Sequence, residues 1–291
     1  SSNAQYYNTT YQFNSFNLDG FTVTDNTAGD LAVNGTGLGY VAWCFKAGGN
    51  SNTFNVDGTG YSSASAAGLA TGTDTPTGAS VNTAGGFSII KLTASSTANS
   101  NRTVAHGLGV KPSFVLFRRT AQSAWFTWSA GLSPESYYLY LQDNYSVGQL
   151  TQSAYAWGQQ SFTDTTISWR NSWTFSPNEE LIAYVWADVA GVQKSGTYTG
   201  TGNPSNITVS LGFSPRFLMV KRTDAASAWL MMDAARNPSS PFNTFLVAEG
   251  SGAEFIANAL TFSYDSTSFT VSNTDGTFNA NGGTYIYLAI A

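Results

Sequence analysis

The acidic side chains are the first candidates for chemistry in this sequence. Two carboxyl groups about 5–9.5 Å apart can hydrolyse a glycosidic bond between them. The candidates are Glu135, Glu179, Glu180, Asp188, Glu249 and Glu254. Glu179 and Glu180 are adjacent, so their side chains would point to opposite faces of a strand. The spacing therefore does not favour a hydrolytic pair, and we assign no catalytic residue and expect no enzymatic activity.

Other reactive side chains are scarce. Cys44 is the only cysteine and lies in an apolar run, which predicts a small buried residue rather than a nucleophile. His106 lies in a glycine-rich turn without a serine-hydrolase elbow, and we expect it to stabilise that turn. No spacing of ligands suits zinc. The segment 25–30 and Asp57 fall short of a calcium loop, so we expect no cofactor and leave only a structural calcium ion open.

A stretch rich in aromatic residues gives the candidate binding surface. Exposed aromatic rings could stack on sugar rings, and the same residue types are enriched in subunit interfaces. The candidates are Tyr138, Tyr145, Tyr155, Trp157, Trp169 and Trp173. The low charge of the chain favours burial of these rings in a core or an oligomer interface, and glycan contact is the alternative.

Composition excludes several classes of protein. The chain has 291 residues, a formal charge of −5 and only 10% charged side chains, whereas globular domains carry about 25%. Long exposed helices need more charged residues than this. Nucleic-acid binding needs clustered Lys and Arg, and no apolar run approaches the roughly 20 residues of a membrane helix. We therefore expect neither a nucleic-acid nor a membrane partner.

Internal repeats organise the chain. A glycine, a proline, an apolar run and a basic pair recur in the same order in 107–120 and 210–223, and a tryptophan follows each segment. A second apolar run occurs three times, at 40–45, 181–187 and 285–291. These runs are short, rich in aromatic and β-branched residues and bounded by turn residues, which is typical of strands. Where the apolar run is continuous, we expect a strand that is buried on both faces.

The recurring basic pairs could belong to a recognition surface. They are Arg118-Arg119 and Lys221-Arg222, followed by Trp125 and Trp229. Folding constraints are shared between repeats, whereas ligand sites need not be shared. We therefore favour a solvated basic pair at the end of an apolar strand, with the tryptophan packed in the core.

The order of the repeats predicts the domains. Residues 1–45 form the tail half of a preceding repeat, 46–187 a first repeat and 188–291 a second. We expect the other half of the first unit to lie upstream; alternatively, its strands pair with the first domain. The small polar residues of 46–84 predict a surface insertion. The fold class is all-β, with tandem β-sandwich domains of jelly-roll type and little helix, confined to a turn or two near 134–141 and 254–260.

The repeats resemble a known family of β domains. The resemblance is carried by 40–49, by Gly86-Phe87-Ser88-Ile89 and by 106–112, and the second repeat follows through 198–202 and 212–215. The chain resembles a repeated β domain of unknown function found in virion structural and tail-fibre proteins of tailed phages, many of them marine. The resemblance implies a non-enzymatic protein of the virion surface.

The resemblance leaves two roles open. The leading one is a tail-fibre or receptor-binding component that adheres to host surface glycan as a homo-oligomer, expected to be a trimer. The alternative is a capsid decoration or fibre protein that binds only other virion proteins. A secreted adhesin or carbohydrate-binding module is a third possibility.

Overall fold

A computed structural model gives the fold of the chain. It describes residues 13–17, 20–23, 34, 37–95, 97, 100–121, 124–132, 137–146, 157, 161–171, 178–204, 206–258 and 262–291. In these ranges the regular structure is strand apart from one helix of four residues, which confirms the all-β class.

The strands of the first half and of the segment before it are short. They are β1 Phe13–Asn17, β2 Gly20–Val23, β3 Phe54–Val56, β4 Thr59–Tyr61, β5 Gly78–Asn82, β6 Phe87–Thr93, β7 Ser100–Ala105, β8 Phe114–Arg119, β9 Trp125–Ser129, β10 Leu139–Tyr140, β11 Thr166–Asn171 and β12 Glu180–Trp186. The second half contains β13 Gln193–Thr199, β14 Ile207–Ser210, β15 Phe217–Arg222, β16 Trp229–Asp233, β17 Thr244–Val247, β18 Phe255–Ile256, β19 Phe262–Tyr264, β20 Ser268–Val271, the helix α1 Gly276–Asn279 and β21 Thr284–Ile290.

The two halves share one strand order. An eight-stranded sheet has the order β10-β9-β8-β12-β6-β5-β3-β4, and a six-stranded sheet has the order β13-β21-β15-β16-β17-β18. In each, the last strand of the half lies between two earlier strands that are separated by one strand in the chain (β6-β12-β8 and β13-β21-β15). The small sheets also match, since β7 pairs with β11 and β14 pairs with β20. These strands fall within 46–187 and 188–291, while the domain boundaries themselves stay a prediction.

The two large sheets are apolar on both faces. In β8, Val115 and Phe117 point into the core that includes β7 and β11, whereas Phe114 points to the opposite side. In β15, Leu218 packs in the core with β20, and Met219 points away from it. Successive side chains of a strand point to opposite faces, so the continuous apolar runs of β8 and β15 are buried on both sides, as the sequence predicts.

A third core lies between the two large sheets. Trp186 from the first half packs there with Phe217 and Leu288 from the second. Gly131 belongs to the same close approach, because a Cβ atom at this position would clash with the Thr197 side chain of the second half. The sheets therefore stack in four layers, with the small sheets outside and the large sheets sharing a buried interface.

The segment 46–84 differs from its prediction as a surface insertion. It contributes β3, β4 and β5 to the eight-stranded sheet, with β5 paired to β6. Leu69 and Val81 are buried in the first core. Small residues such as Gly78 and Ala79 let the strands pack closely, so a composition that resembles a loop here forms the end of a sheet.

Two further expectations are wrong. Residues 40–45 form no strand, which is the first of these. The described strands β1 and β2 pair with each other, and whether strands of 1–45 also pair with the first domain stays a prediction, because much of this segment lies outside the described residues. The helical turns expected near 134–141 and 254–260 are replaced by β10 and β18 where the structure describes these segments. Pairing with neighbouring strands overrides the weak local preference there.

Candidate functional site

The predicted aromatic surface is not assembled. Tyr138, Trp157 and Trp169 are 3%, 1% and 0% exposed and lie in the first core, so they cannot stack on a ligand at the surface. Tyr145 is 43% exposed. Tyr155 and Trp173 lie outside the described residues.

Ring packing explains this burial. Phe117 of β8 lies 6.1 Å from the Trp157 ring and 6.3 Å from the Trp169 ring, between centroids. Trp157 also meets Phe162 edge-on at 5.6 Å. These large rings fill the space between the eight-stranded sheet and the β7–β11 sheet, which has only two strands to cover it. The core interpretation therefore holds for Tyr138, Trp157 and Trp169.

The recurring basic pairs are not simply solvated. Arg119 donates to the Glu179 carboxylate at 2.6 Å, and both side chains are 7% exposed. Arg118 lies over the Trp125 ring at 4.6 Å. The equivalent position in the second repeat, Lys221, is 0% exposed. The expectation of a solvated pair is wrong for Arg119 and Lys221, because the neighbouring half and the strand ends cover them.

Lys221 joins the two halves. Its Nζ atom donates to the Asn144 carbonyl at 3.3 Å and to the Arg222 carbonyl at 2.7 Å. Next to it, Trp229 Nε1 donates to the Tyr140 carbonyl of the first half at 2.9 Å. Burial lowers the pKa of Lys221 to about 8. This arrangement links the halves, and full burial leaves the amine no access to a substrate.

The carboxylates considered for hydrolysis are occupied by other contacts. Their partners are Arg119 for Glu179, Lys91 for Glu180, the Ser195 amide for Asp188, the Trp229 amide for Glu249 and Arg236 for Glu254. Glu135 lies outside the described residues. These contacts place the described carboxylates in ion pairs and in hydrogen bonds to backbone amides.

His106 holds a turn. The Leu108 amide donates to its Nδ1 atom at 3.2 Å, so the proton lies on Nε2, which is 3.2 Å from the Thr163 carbonyl. Burial lowers the pKa of His106. The ring is therefore neutral near pH 7 and serves the turn, as expected from the sequence.

Cys44 is exposed, which corrects its expected burial. It belongs to residues 37–49, a segment outside any strand or helix, which we call the strap. Leu38 and Tyr40 of the strap are 67% and 53% exposed. An apolar segment that is this exposed is unusual in a chain with ample core, and the strap is therefore a candidate contact surface.

The strap is anchored on one side. Trp43 Nε1 donates to Asp233 Oδ2 at 3.3 Å, and its ring meets Phe217 edge-on at 5.4 Å. Phe45 lies 5.7 Å from the Trp186 ring, between centroids. Trp43 and Phe45 thus cover the rim of the interface between the halves.

An open cleft of about 1220 Å³ separates the strap from the N-terminal hairpin, β1 and β2. Its lining comprises Asn17, Gly20, Phe21, the strap residues 41–49, Asp57, Gly58, Asn82, Thr83 and Ala84. The cleft is larger than the roughly 300–1,000 Å³ of small-molecule sites. Its long apolar wall suits an extended ligand rather than a compact one.

The polar rim of the cleft is already hydrogen-bonded. Asp57 accepts from the Thr83 amide at 2.8 Å and from its hydroxyl at 2.6 Å. Asn82 donates to the Lys46 carbonyl at 3.0 Å. Asp57 is the only carboxylate among the described lining residues, so the cleft offers apolar contact and backbone groups rather than acid–base chemistry.

In the described part of the chain, no cluster of three or more His, Cys, Asp or Glu side chains could hold a metal ion. Likewise, no helix within the described ranges is long and apolar enough to cross a membrane.

The sequence prediction missed the cleft because the strap was expected to be a paired strand. The available signal was the copy of the recurring run at 40–45, because residues 1–39 contain no segment like 107–120 or 210–223 to pair with it.

A family model described as Domain of unknown function (DUF7483) matches residues 1–291. No curated protein and no solved structure matches the chain.

Proposed function

Because the chain belongs along its whole length to the family described as Domain of unknown function (DUF7483), we propose its role from its own residues. It is a non-enzymatic structural protein on the surface of a tailed-phage virion, and it works by joining other virion proteins. The resemblance of the repeats to phage virion domains supports the proposed location on a virion.

One observation carries the structural role. The strap exposes apolar side chains along the cleft, whereas Tyr138, Trp157 and Trp169 of the candidate glycan surface are buried. Exposed apolar patches are typical of protein contact sites. Glycan contact needs exposed rings with free polar neighbours, and Asp57 and Asn82 beside the strap are engaged in hydrogen bonds with Thr83 and Lys46.

Receptor binding is the second candidate function. It is favoured by Tyr145, which is 43% exposed, and by Phe21 and Phe45 in the cleft, where rings could stack on sugars. In this case the chain would adhere to host surface glycan as a homo-oligomer.

Attachment to virions tests the proposal. The purified chain is added to virions produced without it, and separately to host cells, and the retained protein is measured. We expect retention by virions and not by cells. The Ala42→Asp variant should bind virions with about tenfold lower affinity, because a charge would be buried in an apolar contact.

Val110→Asp is the matched control, since Val110 is 49% exposed and lies outside the cleft lining. It should bind virions like the unchanged chain. Retention by cells with no binding to virions would contradict the structural role and favour receptor binding.

A further inference from the structure

The six-stranded sheet ends on an apolar strand. β18 pairs with β17, with Thr244 opposite Ile256 and Phe245 opposite Phe255, and it is the last strand of the sheet in the described residues. Ile256 is 69% exposed and Phe255 is 38% exposed. An exposed apolar strand at the edge of a sheet is a ready site for pairing with a strand of another chain.

The hydrogen bonds between β17 and β18 define the free edge of β18. The Ala257 amide donates to the Asn243 carbonyl at 2.9 Å. Because bonded residues alternate along an antiparallel strand, the N–H and C=O groups of Ile256 point away from β17. Within the described ranges, neither of these two groups has a hydrogen-bond partner. Ile256 therefore offers one donor and one acceptor together with an exposed apolar side chain.

The other ends of the two large sheets are protected. At the β13 end, the Ser195 amide donates to the Asp188 carboxylate at 2.8 Å. At the β10 end, the Tyr140 carbonyl accepts from Trp229 of the second half. At the third end, β4 contains no large apolar residue that is exposed. Among the described strands at these four ends, β18 alone combines an unpaired backbone edge with exposed apolar side chains.

We propose that β18 pairs with β18 of a second copy of this chain, antiparallel and about a two-fold axis, so that the two six-stranded sheets become one. The pairing is centred on Ile256, and the Ile256 N–H of each copy donates to the Ile256 carbonyl of the other. The Cβ atoms of the two Ile256 residues then lie about 5 Å apart on one face of the joined sheet. Their side chains cover each other.

The sequence around Ile256 is complementary to itself in this register. Phe255 lies opposite Ala257 of the second copy, so a large side chain meets a small one. Phe255, Ile256 and Ala257 carry no charge. Glu254, whose side chain is 52% exposed, lies opposite Asn258 of the second copy rather than opposite another carboxylate. An identical copy therefore fits this edge without the directly opposed like charges that destabilise a strand pair.

The pairing is short, so we expect a weak dimer. β18 supplies only two strand residues, and interfaces below about 1,200 Å² are typical of transient contacts. In a contact about a two-fold axis the same patch serves both copies, so the assembly closes at two.

The mass of the intact chain as a function of its concentration tests the inference. Sedimentation equilibrium should show one copy in dilute solution and two copies in concentrated solution. The Ile256→Asp variant should dimerise with about tenfold lower affinity, because two carboxylates would face each other across the axis. Ile256→Pro should also weaken the dimer, because it removes the outward N–H, and proline is tolerated at the edge of a sheet.

Leu38→Asp is the matched control, since Leu38 is 67% exposed but belongs to the strap. This variant should dimerise like the unchanged chain. In the unchanged chain, the Ile256 amide should exchange its hydrogen about tenfold more slowly in the dimer than in the monomer.

Four outcomes would overturn the inference. They are a chain that stays monomeric in concentrated solution, a trimer, equal dimerisation of Ile256→Asp, and loss of the dimer in Leu38→Asp but not in Ile256→Asp. The last would place the contact on the strap. None of these measurements involves virions, so failure of the dimer would leave the proposed structural role standing.

Discussion

Replacing Trp186 by alanine should lower the free energy of unfolding by about 3–5 kcal/mol and separate the unfolding of the two halves. Trp186 is 4% exposed, and its ring lies 4.9 Å from that of Phe87 and 5.8 Å from that of Phe114, between centroids. It packs in the third core, which also contains Phe217 of the second half. Loss of the ring leaves a cavity in the third core. This weakens the contact between the halves that makes them unfold together.

The measurement is calorimetry combined with urea unfolding followed by circular dichroism. Trp169→Ala is the matched control, because Trp169 is 0% exposed but lies in the first core, away from the second half. It should destabilise the first half by a similar amount without loosening the interface. A single transition at an unchanged midpoint in the Trp186→Ala chain would contradict the four-layer arrangement.

The stability of the chain should increase as the pH rises above about 8. Burial lowers the pKa of Lys221 from 10.5 to about 8, while the pKa in the unfolded chain stays near its ordinary value. Between these values the unfolded state binds more protons than the folded state, so the free energy of unfolding rises with pH. The slope approaches about 1.4 kcal/mol per pH unit, which gives about 2 kcal/mol between about pH 8 and about pH 9.5.

The rise should end near pH 10. Tyrosines ionise there in the unfolded chain, whereas burial raises the pKa of Tyr198, of Tyr285 and of Tyr287, the last to about 12. Ionisation of these tyrosines in the unfolded chain then lowers the free energy of unfolding. The free energy of unfolding therefore passes through a maximum between the rise caused by Lys221 and this fall.

Urea unfolding at a series of pH values measures this profile. The Lys221→Met variant should lose the rise above pH 8, because the buried titrating group is gone. Lys111→Met should keep it, since Lys111 is exposed. Equal slopes in Lys221→Met and the unchanged chain would assign the pH dependence to other groups.

Much of the fold was predictable because the sequence repeats. The proline, apolar run and basic pair that recur in β8 and β15 indicated equivalent strands, and their unbroken apolar character indicated burial on both faces. The sequence could not show that the large sheets cover each other. Phe114 and Phe217 would suit any apolar neighbour, so the partner of each face is decided by the tertiary arrangement.

The site was less predictable. An aromatic residue can fill a core or form a binding surface, and nothing in the types of Trp157 and Trp169 distinguishes the two. The prediction of a strand at 40–45 was wrong for a related reason, since a strand needs neighbouring strands as well as an apolar sequence. Cys44 was expected to be buried because it lies in an apolar run, and the structure shows it exposed on the strap, which belongs to no strand.

Hydrogen exchange of the chain, free and attached to virions, tests the central claim most directly. Amides 37–49 of the strap should exchange about tenfold more slowly after attachment, because the virion partner covers them. Unchanged exchange in the strap, with new protection in 137–146 around Tyr145, would contradict the account and place the contact surface on the exposed aromatic loop instead.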